Sequence, residues 1–268
     1  MDLVSIIILG LTQGITEWVP ISSKTQVTAV YLTFLSGDQN SVVPILVYVH
    51  LGTVLAALIY FRKEIMKIAS GFIKKPMDLK THSRGKLGFL FTSLLFTGVV
   101  GVPLFFLEKY VSLSIDANLL FTLMGIGLFF SGILLLMQKG VKERKINQAN
   151  WADGILTGIM QGLSILPGVS RAGTSTTALM WQGFDSESSF HLSFLLSIPT
   201  VVLADIFIYV GSSSSFPVLD GILLSLSSFI FGYLVLDAIL RIVRKVNMAY
   251  VAFALGIMII AVGLLHQG

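Results

Sequence analysis

The 268 residues include no cysteine, which removes disulfides, thiolate nucleophiles and cysteine metal sites together. Charge is almost as scarce. Only 12% of the residues are Asp, Glu, Lys or Arg, where a soluble globular chain carries roughly 25%. No basic residue precedes the first apolar stretch, where Asp2 stands, so a cleavable signal peptide is not expected there. There are four histidines and seven prolines, so each one that falls in an apolar run needs a reason.

What is present is hydrocarbon: 54% of the residues are hydrophobic and mean hydropathy is +0.87. Runs of about 20 apolar residues, the length that crosses a bilayer, recur near 41–61, 87–107, 119–137, 191–210, 222–240 and 248–266. The net charge of +4 does not point to nucleic acid, because fifteen of the eighteen Lys and Arg fall in three connections, 62–86, 138–150 and 241–247. The connections 108–118 and 211–221 hold only Lys109. The positive-inside rule therefore puts the basic connections in the cytoplasm.

Two stretches, 2–36 and 151–186, are apolar but interrupted. The first predicts a helix to about Val19, a break at Pro20 and a new helix from Ser22 or Ser23. The second predicts a helix from about Ala152, a break at Pro167 and Gly168 and a new helix near Ser170. Proline ends a helix and serine opens one. The topology makes each a re-entrant hairpin, entering from opposite faces. "LTQGITEWVPISS" and "IMQGLSILPGVSR" share Gln-Gly, a later proline and a serine, and each precedes a span with His-Leu-small, at His50 and His191. The expected fold is an all-α integral membrane protein forming one transmembrane domain over 1–268. It has six transmembrane helices plus two re-entrant helix hairpins in an inverted-repeat arrangement, the repeats covering approximately 1–110 and 150–240. Such repeats place a polar site near the midplane, formed by broken helices.

Gln13 and Glu17 lie four apart on one helix face and point toward the break where Ser22, Ser23 and Lys24 begin the next helix. A carboxylate in a membrane segment costs about 2.5 to 3.5 kcal/mol, so it is functional by default. Arg171 stands at the matching break among Ser170, Thr174, Ser175 and Thr176. A guanidinium beside a serine-capped helix start suits a phosphate group. His50 and His191 are candidate ligands or shuttles, against the plainer reading of hydrogen bonds between helices. Asp205 has no partner in sequence and is a candidate to support a site side chain from behind or to carry a proton, while Asp237 and Arg241 read as an i, i+4 pair. Trp151 reads as an interface anchor, and Trp18 and Trp181 flank the breaks and could border a lipid groove. The lipid-phosphatase pattern with a histidine nucleophile would need His at 177, where Thr177 stands.

At these residues the chain resembles the undecaprenyl-diphosphatase, or bacitracin-resistance, family over almost its whole length. The family's (E/Q)xxxE-proline-serine-pair motif is similar to Gln13, Glu17, Pro20, Ser22 and Ser23. Its PGxSRSxxT motif is similar to Pro167, Gly168, Ser170 and Arg171. The resemblance implies hydrolysis of a long-chain polyprenyl diphosphate to the monophosphate, recycling a lipid carrier for cell-wall glycan synthesis. It also implies a plasma-membrane enzyme with a site open to the outer face and dependence on a divalent cation, Mg²⁺ or Ca²⁺. Glu17 would bind the metal with the substrate phosphates or orient water, Arg171 would clamp phosphate, and Ser23 would be nucleophile or phosphate ligand. Ser22, Lys24, Ser170, Gly173, Thr174 and Ser175 would line the phosphates, with Gln13, Gln26, His50, Gln161 and His191 behind them. The expected partners are the lipid diphosphate and the membrane, not nucleic acid, and a homodimer is compatible with the reading.

The chain departs from the family pattern where a histidine usually follows the serine pair: "SSKTQ" puts Thr25 and Gln26 there, and Ala172 replaces a serine of the second motif. Glutamine takes no proton at neutral pH, so Glu17 is left as the obvious base. The departure keeps open a translocase that holds polyprenyl phosphate without hydrolysing it. An ion-coupled transporter of small solutes is a third reading, resting on the architecture and Asp205.

Overall fold

The computed structural model describes residues 1–74, 85–112, 116–138, 143–210, 216–242 and 246–265. The middle of the basic connection 62–86, parts of 138–150 and 241–247, and the serine run from 211 lie outside the described residues. Among the described residues every regular element is helical. In chain order these are α1 Leu3–Thr16, α2 Ser23–Ala29, α3 Val42–Tyr60, α4 Arg62–Lys74, α5 Lys86–Ser112 and α6 Ala117–Leu136. They continue with α7 Trp151–Gly162, α8 Arg171–Trp181, α9 Ser186–Val210, α10 Val218–Ile242 and α11 Met248–Leu265.

Among the described residues six stretches are long and apolar enough to cross a membrane: Gln39–Tyr60, Lys86–Glu108, Ala117–Leu136, Ser186–Ile208, Val218–Ile242 and Met248–Leu265. They match the six apolar runs to within a few residues. α1, at 14 residues, is about 21 Å long, short of the roughly 30 Å of a hydrocarbon core. α7 and α8 are shorter still, with 12 and 11 residues. The interrupted stretches thus each hold two short helices around a break, but the first break begins earlier than proline alone predicts. α1 ends at Thr16 and α2 opens at Ser23, because the chain leaves helical geometry in tight turns, with Val19 donating to the Thr16 carbonyl and Ile21 to that of Val19.

Glycine seats the first helix of each broken segment. Gly10 and Gly14 put α1 against Ser227 and Gly232 of α10, where an added Cβ would come within 2.1 and 2.6 Å of other atoms. Gly154, Gly158 and Gly162 do the same for α7 along α5, against Phe89, Ser93 and Val100. These small-xxx-small stripes let backbones approach where hydrocarbon gives helices no hydrophobic reason to associate. The first broken segment therefore lies on a late span and the second on an early one. α10 also lies along α3, and α11 along α6.

The second break is fixed against α6. Gly168 adopts φ +80°, and a Cβ there would sit 1.8 Å from the Met124 carbonyl oxygen. Gly168→Ala is expected to lower the thermal unfolding midpoint in detergent, since alanine at positive φ costs more than about 1 kcal/mol even without a clash. Gly98→Ala, where nothing lies within 4 Å of the added carbon, is expected to leave the midpoint unchanged or raise it.

Candidate functional site

The two breaks meet. Glu17 is the residue that ends α1, its N–H donating to the Gln13 carbonyl at 3.0 Å. From there its carboxylate reaches Arg171, the first residue of α8, which donates from Nη2 to Oε1 at 2.5 Å across 154 residues of sequence. The other oxygen, Oε2, accepts from the Ser23 hydroxyl at 2.6 Å and from Gln13 Nε2 at 2.9 Å. Arg171 Nη1 also donates to the Ser193 carbonyl at 3.4 Å. Glu17 is buried at 8% exposed and the Arg171 side chain is 14% exposed, so removing either partner would strand the other, a change that costs about 3–5 kcal/mol in buried pairs.

Ser23 reaches Glu17 because the residue before it turns the chain back. Ser22 has φ +59°, a left-handed conformation uncommon outside glycine. Its hydroxyl makes no cap bond to α2 and pairs instead with Thr25 Oγ1 at 3.0 Å. The expected serine-capped start is found only in the second segment, where Ser170 Oγ accepts from Gly173 N at 3.2 Å. Backbone strain of this kind concentrates at functional sites.

Several residues expected around phosphate have other occupations. Thr174 and Ser175 turn back to the Arg171 carbonyl at 3.0 and 2.8 Å, and Ser175 also pairs with Ser193 Oγ at 2.6 Å. They brace the start of α8. Gly173 spends its N–H on Ser170, as above. Lys24 donates to Glu108 at 3.4 Å, and Gln26 donates to the Ile21 carbonyl at 3.1 Å, across its own break. Gln161 bonds Thr97 and Thr200, each at 3.0 Å, tying α7 to α5 and α9. Trp18 does not border lipid: it is 1% exposed and packs edge-on against Phe194 at 5.5 Å between centroids.

The two histidines part company. His50 of α3 joins the site, with Nε2 3.9 Å from Glu17 Oε2 and Nδ1 3.4 Å from Asp205 Oδ1. His191 does not; its Nε2 donates to Glu64 at 2.5 Å. Lys86 also pairs with Glu64, and Phe61 packs edge-on to the His191 ring. This second cluster borders a cavity of about 560 Å³ lined also by Tyr60, Asp237 and Arg241, where the expected Asp237–Arg241 pair is present. Tyr60 lies ten residues along α3 from His50, about 15 Å of helix, and neither Glu17 nor Arg171 lines this cavity. Burial, paired charge and strain coincide at the Glu17 site rather than at the cavity.

The donor set does not suit a resident metal. Among the described residues no three His, Asp or Glu side chains stand as a ligand cluster. Glu17, His50 and Asp205 form a chain rather than a cage, because the two imidazole nitrogens face opposite ways. Both oxygens of Glu17 already accept hydrogen bonds.

This geometry can be set beside known proteins. The family model described as bacitracin resistance protein BacA matches residues 6–264. The chain belongs to this family. It is 32% identical to an undecaprenyl-diphosphatase of Methanococcoides burtonii over 96% of this chain and 97% of that one. It is 36% identical to one of Saccharolobus solfataricus over 97% and 95%. A third, from Saccharolobus islandicus, is 39% identical over 75% and 72%. The BacA family signature thus covers both broken segments and the six spans between and after them.

The second cluster yields a pH prediction. The hydrogen bond from His191, with Lys86 beside it and against the opposing effect of burial, holds the Glu64 carboxyl down to about 2 from an ordinary 4.5. A depressed carboxyl stabilises the fold above its ordinary value, and that contribution is lost as pH falls through the depressed one. Glu64→Gln is expected to lower the unfolding midpoint in detergent at pH 7. The gap from the unmodified chain should narrow between about pH 4.5 and pH 2. A gap constant across that window would show that Glu64 contributes no charge-dependent stability.

Proposed function

We propose that the chain hydrolyses the terminal phosphate of a long-chain polyprenyl diphosphate, of the undecaprenyl type, to leave the lipid monophosphate. The observation that carries this reading is the Ser23 hydroxyl 2.6 Å from Glu17 Oε2 while Arg171 holds Oε1 at 2.5 Å. A hydroxyl in contact with a base that a third group orients is the arrangement of an activated nucleophile. Ser23 Oγ attacks the terminal phosphorus and Glu17 takes its proton. The guanidinium, with donors beyond the one given to Glu17, neutralises charge on the transferred phosphoryl group. In a buried setting such preorganised donors act more strongly than in water.

The same contact weakens the translocase alternative, whose premise is a site without a base. The site would lie within the plasma membrane and open to its outer face, a reading supported by the basic residues gathered after α3, α6 and α10. The two broken segments would enter as re-entrant hairpins from opposite faces, supported by helices too short to cross. A required Mg²⁺ or Ca²⁺ would arrive on the diphosphate, whose oxygens are the ligands such hard cations prefer. It would supply charge neutralisation there.

Arg171→Lys keeps the charge but loses the planar fork, and Glu17→Gln keeps the size but loses basicity. Each is expected to lower phosphate release from undecaprenyl diphosphate by on the order of 100-fold, with KM changed much less. Absence of phosphate release by the unmodified, lipid-supplied protein across several divalent metals would overturn the reading. Calorimetry is expected to show no stoichiometric Mg²⁺ or Ca²⁺ binding by the protein without lipid diphosphate. Tight binding to the empty protein would refute a cation carried in by substrate.

A further inference from the structure

Asp205 is a carboxylate within a span, 4% exposed, and its Oδ2 has no hydrogen-bond partner. The contact made by its other oxygen is with His50 Nδ1, at 3.4 Å. With an ionised Asp205 accepting, this contact takes the Nδ1 proton, and in the neutral ring it leaves the Nε2 lone pair free. That lone pair faces Glu17 Oε2 from 3.9 Å, too far for a direct hydrogen bond and close enough for one water to touch both. Ser23 Oγ contacts the same Oε2 from its own side. A nucleophile, its base, and a second base oriented by a carboxylate therefore converge on a single oxygen atom.

We infer that His50, oriented by Asp205, is the catalytic residue of the second half of the reaction, accepting the proton of the water that hydrolyses phospho-Ser23. The inference rests on the phosphatase reading above and extends it. In the first half, the Ser23 Oγ–P bond forms, the bond from phosphorus to the bridging oxygen breaks, and the serine proton moves to Glu17. The lipid monophosphate leaves. In the second half, the water oxygen bonds to phosphorus and gives a proton to His50 Nε2. The P–Oγ bond breaks, Glu17 returns its proton to Ser23, and inorganic phosphate departs. His50 then loses its proton to solvent. The sum is one diphosphate and one water to one monophosphate, one phosphate and one proton.

This assigns a base to the chain although Gln26 stands where the family resemblance would put a histidine. The Gln26 amide is spent on Ile21, on its own break, whereas His50 comes from α3 and Asp205 from α9. A merely structural His50 would tie those two helices together. Its loss would then lower stability or every step alike.

The test is rapid-quench turnover of undecaprenyl diphosphate by purified protein in detergent with excess Mg²⁺, for the unmodified chain, His50→Ala, His50→Gln and Asp205→Asn. Both His50 variants are expected to release about one lipid monophosphate per protein in a burst. They should then turn over on the order of 100-fold more slowly, the scale of lost general-base catalysis, while mass spectrometry finds one phosphoryl group on Ser23. Added imidazole is expected to restore turnover to His50→Ala. Asp205→Asn should slow the same phase by a smaller factor, without adding to the loss in a double variant. His50→Gln guards against a folding failure of the alanine variant, since it preserves side-chain bulk. The inference is overturned if the His50 variants keep turnover within about threefold, or lose it with neither burst nor phosphoserine. If the unmodified chain releases no phosphate, the phosphatase reading itself fails and this inference with it.

Discussion

A guanidinium and a carboxylate buried against each other between two broken helices organise this molecule. Neither Arg171 nor Glu17 could remain alone among hydrocarbon, where a single charge costs several kcal/mol. Their pairing ties the end of α1 to the start of α8 across 154 residues. The glycines of α1 and α7 serve that closure. Gly10 and Gly14 seat the first broken segment on α10, and Gly154, Gly158 and Gly162 seat the second on α5. Each half of the chain thus grips the broken segment of the other, and the ion pair lies where the two grips meet.

The pair leaves Glu17 with two oxygens in different employment. Oε1 is committed to Arg171, while Oε2 faces Ser23, Gln13 and, at longer range, His50. A carboxylate free to rotate would exchange these roles. Three donors on different helical segments prevent it, and the left-handed Ser22 supplies the turn that brings Ser23 round. Strain at one serine is thereby exchanged for fixed aim at the neighbouring one.

Much of this was legible in the sequence, for reasons that differ by residue. The six spans could be read because length and apolarity alone define a crossing helix. Glu17 and Arg171 stood out because an ionisable residue beside a proline break has few bland explanations. The fates of Lys24 and His191 were not legible, since they depend on Glu108 and Glu64, residues far away in sequence that chance to face them. Nor were those of Thr174 and Ser175: a hydroxyl near a phosphate motif reads the same whether it faces the ligand or bonds back to its own helix. The first break begins a turn before Pro20 because the turns that end α1 involve backbone bonds that no residue type announces.

The packing also bears on direction of access. Between the Glu17 site and the Glu64–His191 cluster stands an aromatic layer in which Trp18 packs on Phe194, Phe194 on Phe190, and Phe61 on His191. Trp18 and Phe194 are almost fully buried, and Ala172, next to Arg171, belongs to the same apolar cluster. A lipid headgroup passing from the ion pair to the far cavity would have to displace these rings and desolvate its own charge on the way. A hydrolase has no such need, because its diphosphate can enter and its products leave on one side. The layer gives the Glu17–Arg171 pair an apolar floor, and an apolar floor strengthens each electrostatic contact made above it. The residues that would obstruct a translocator are those from which a phosphatase at this site would gain.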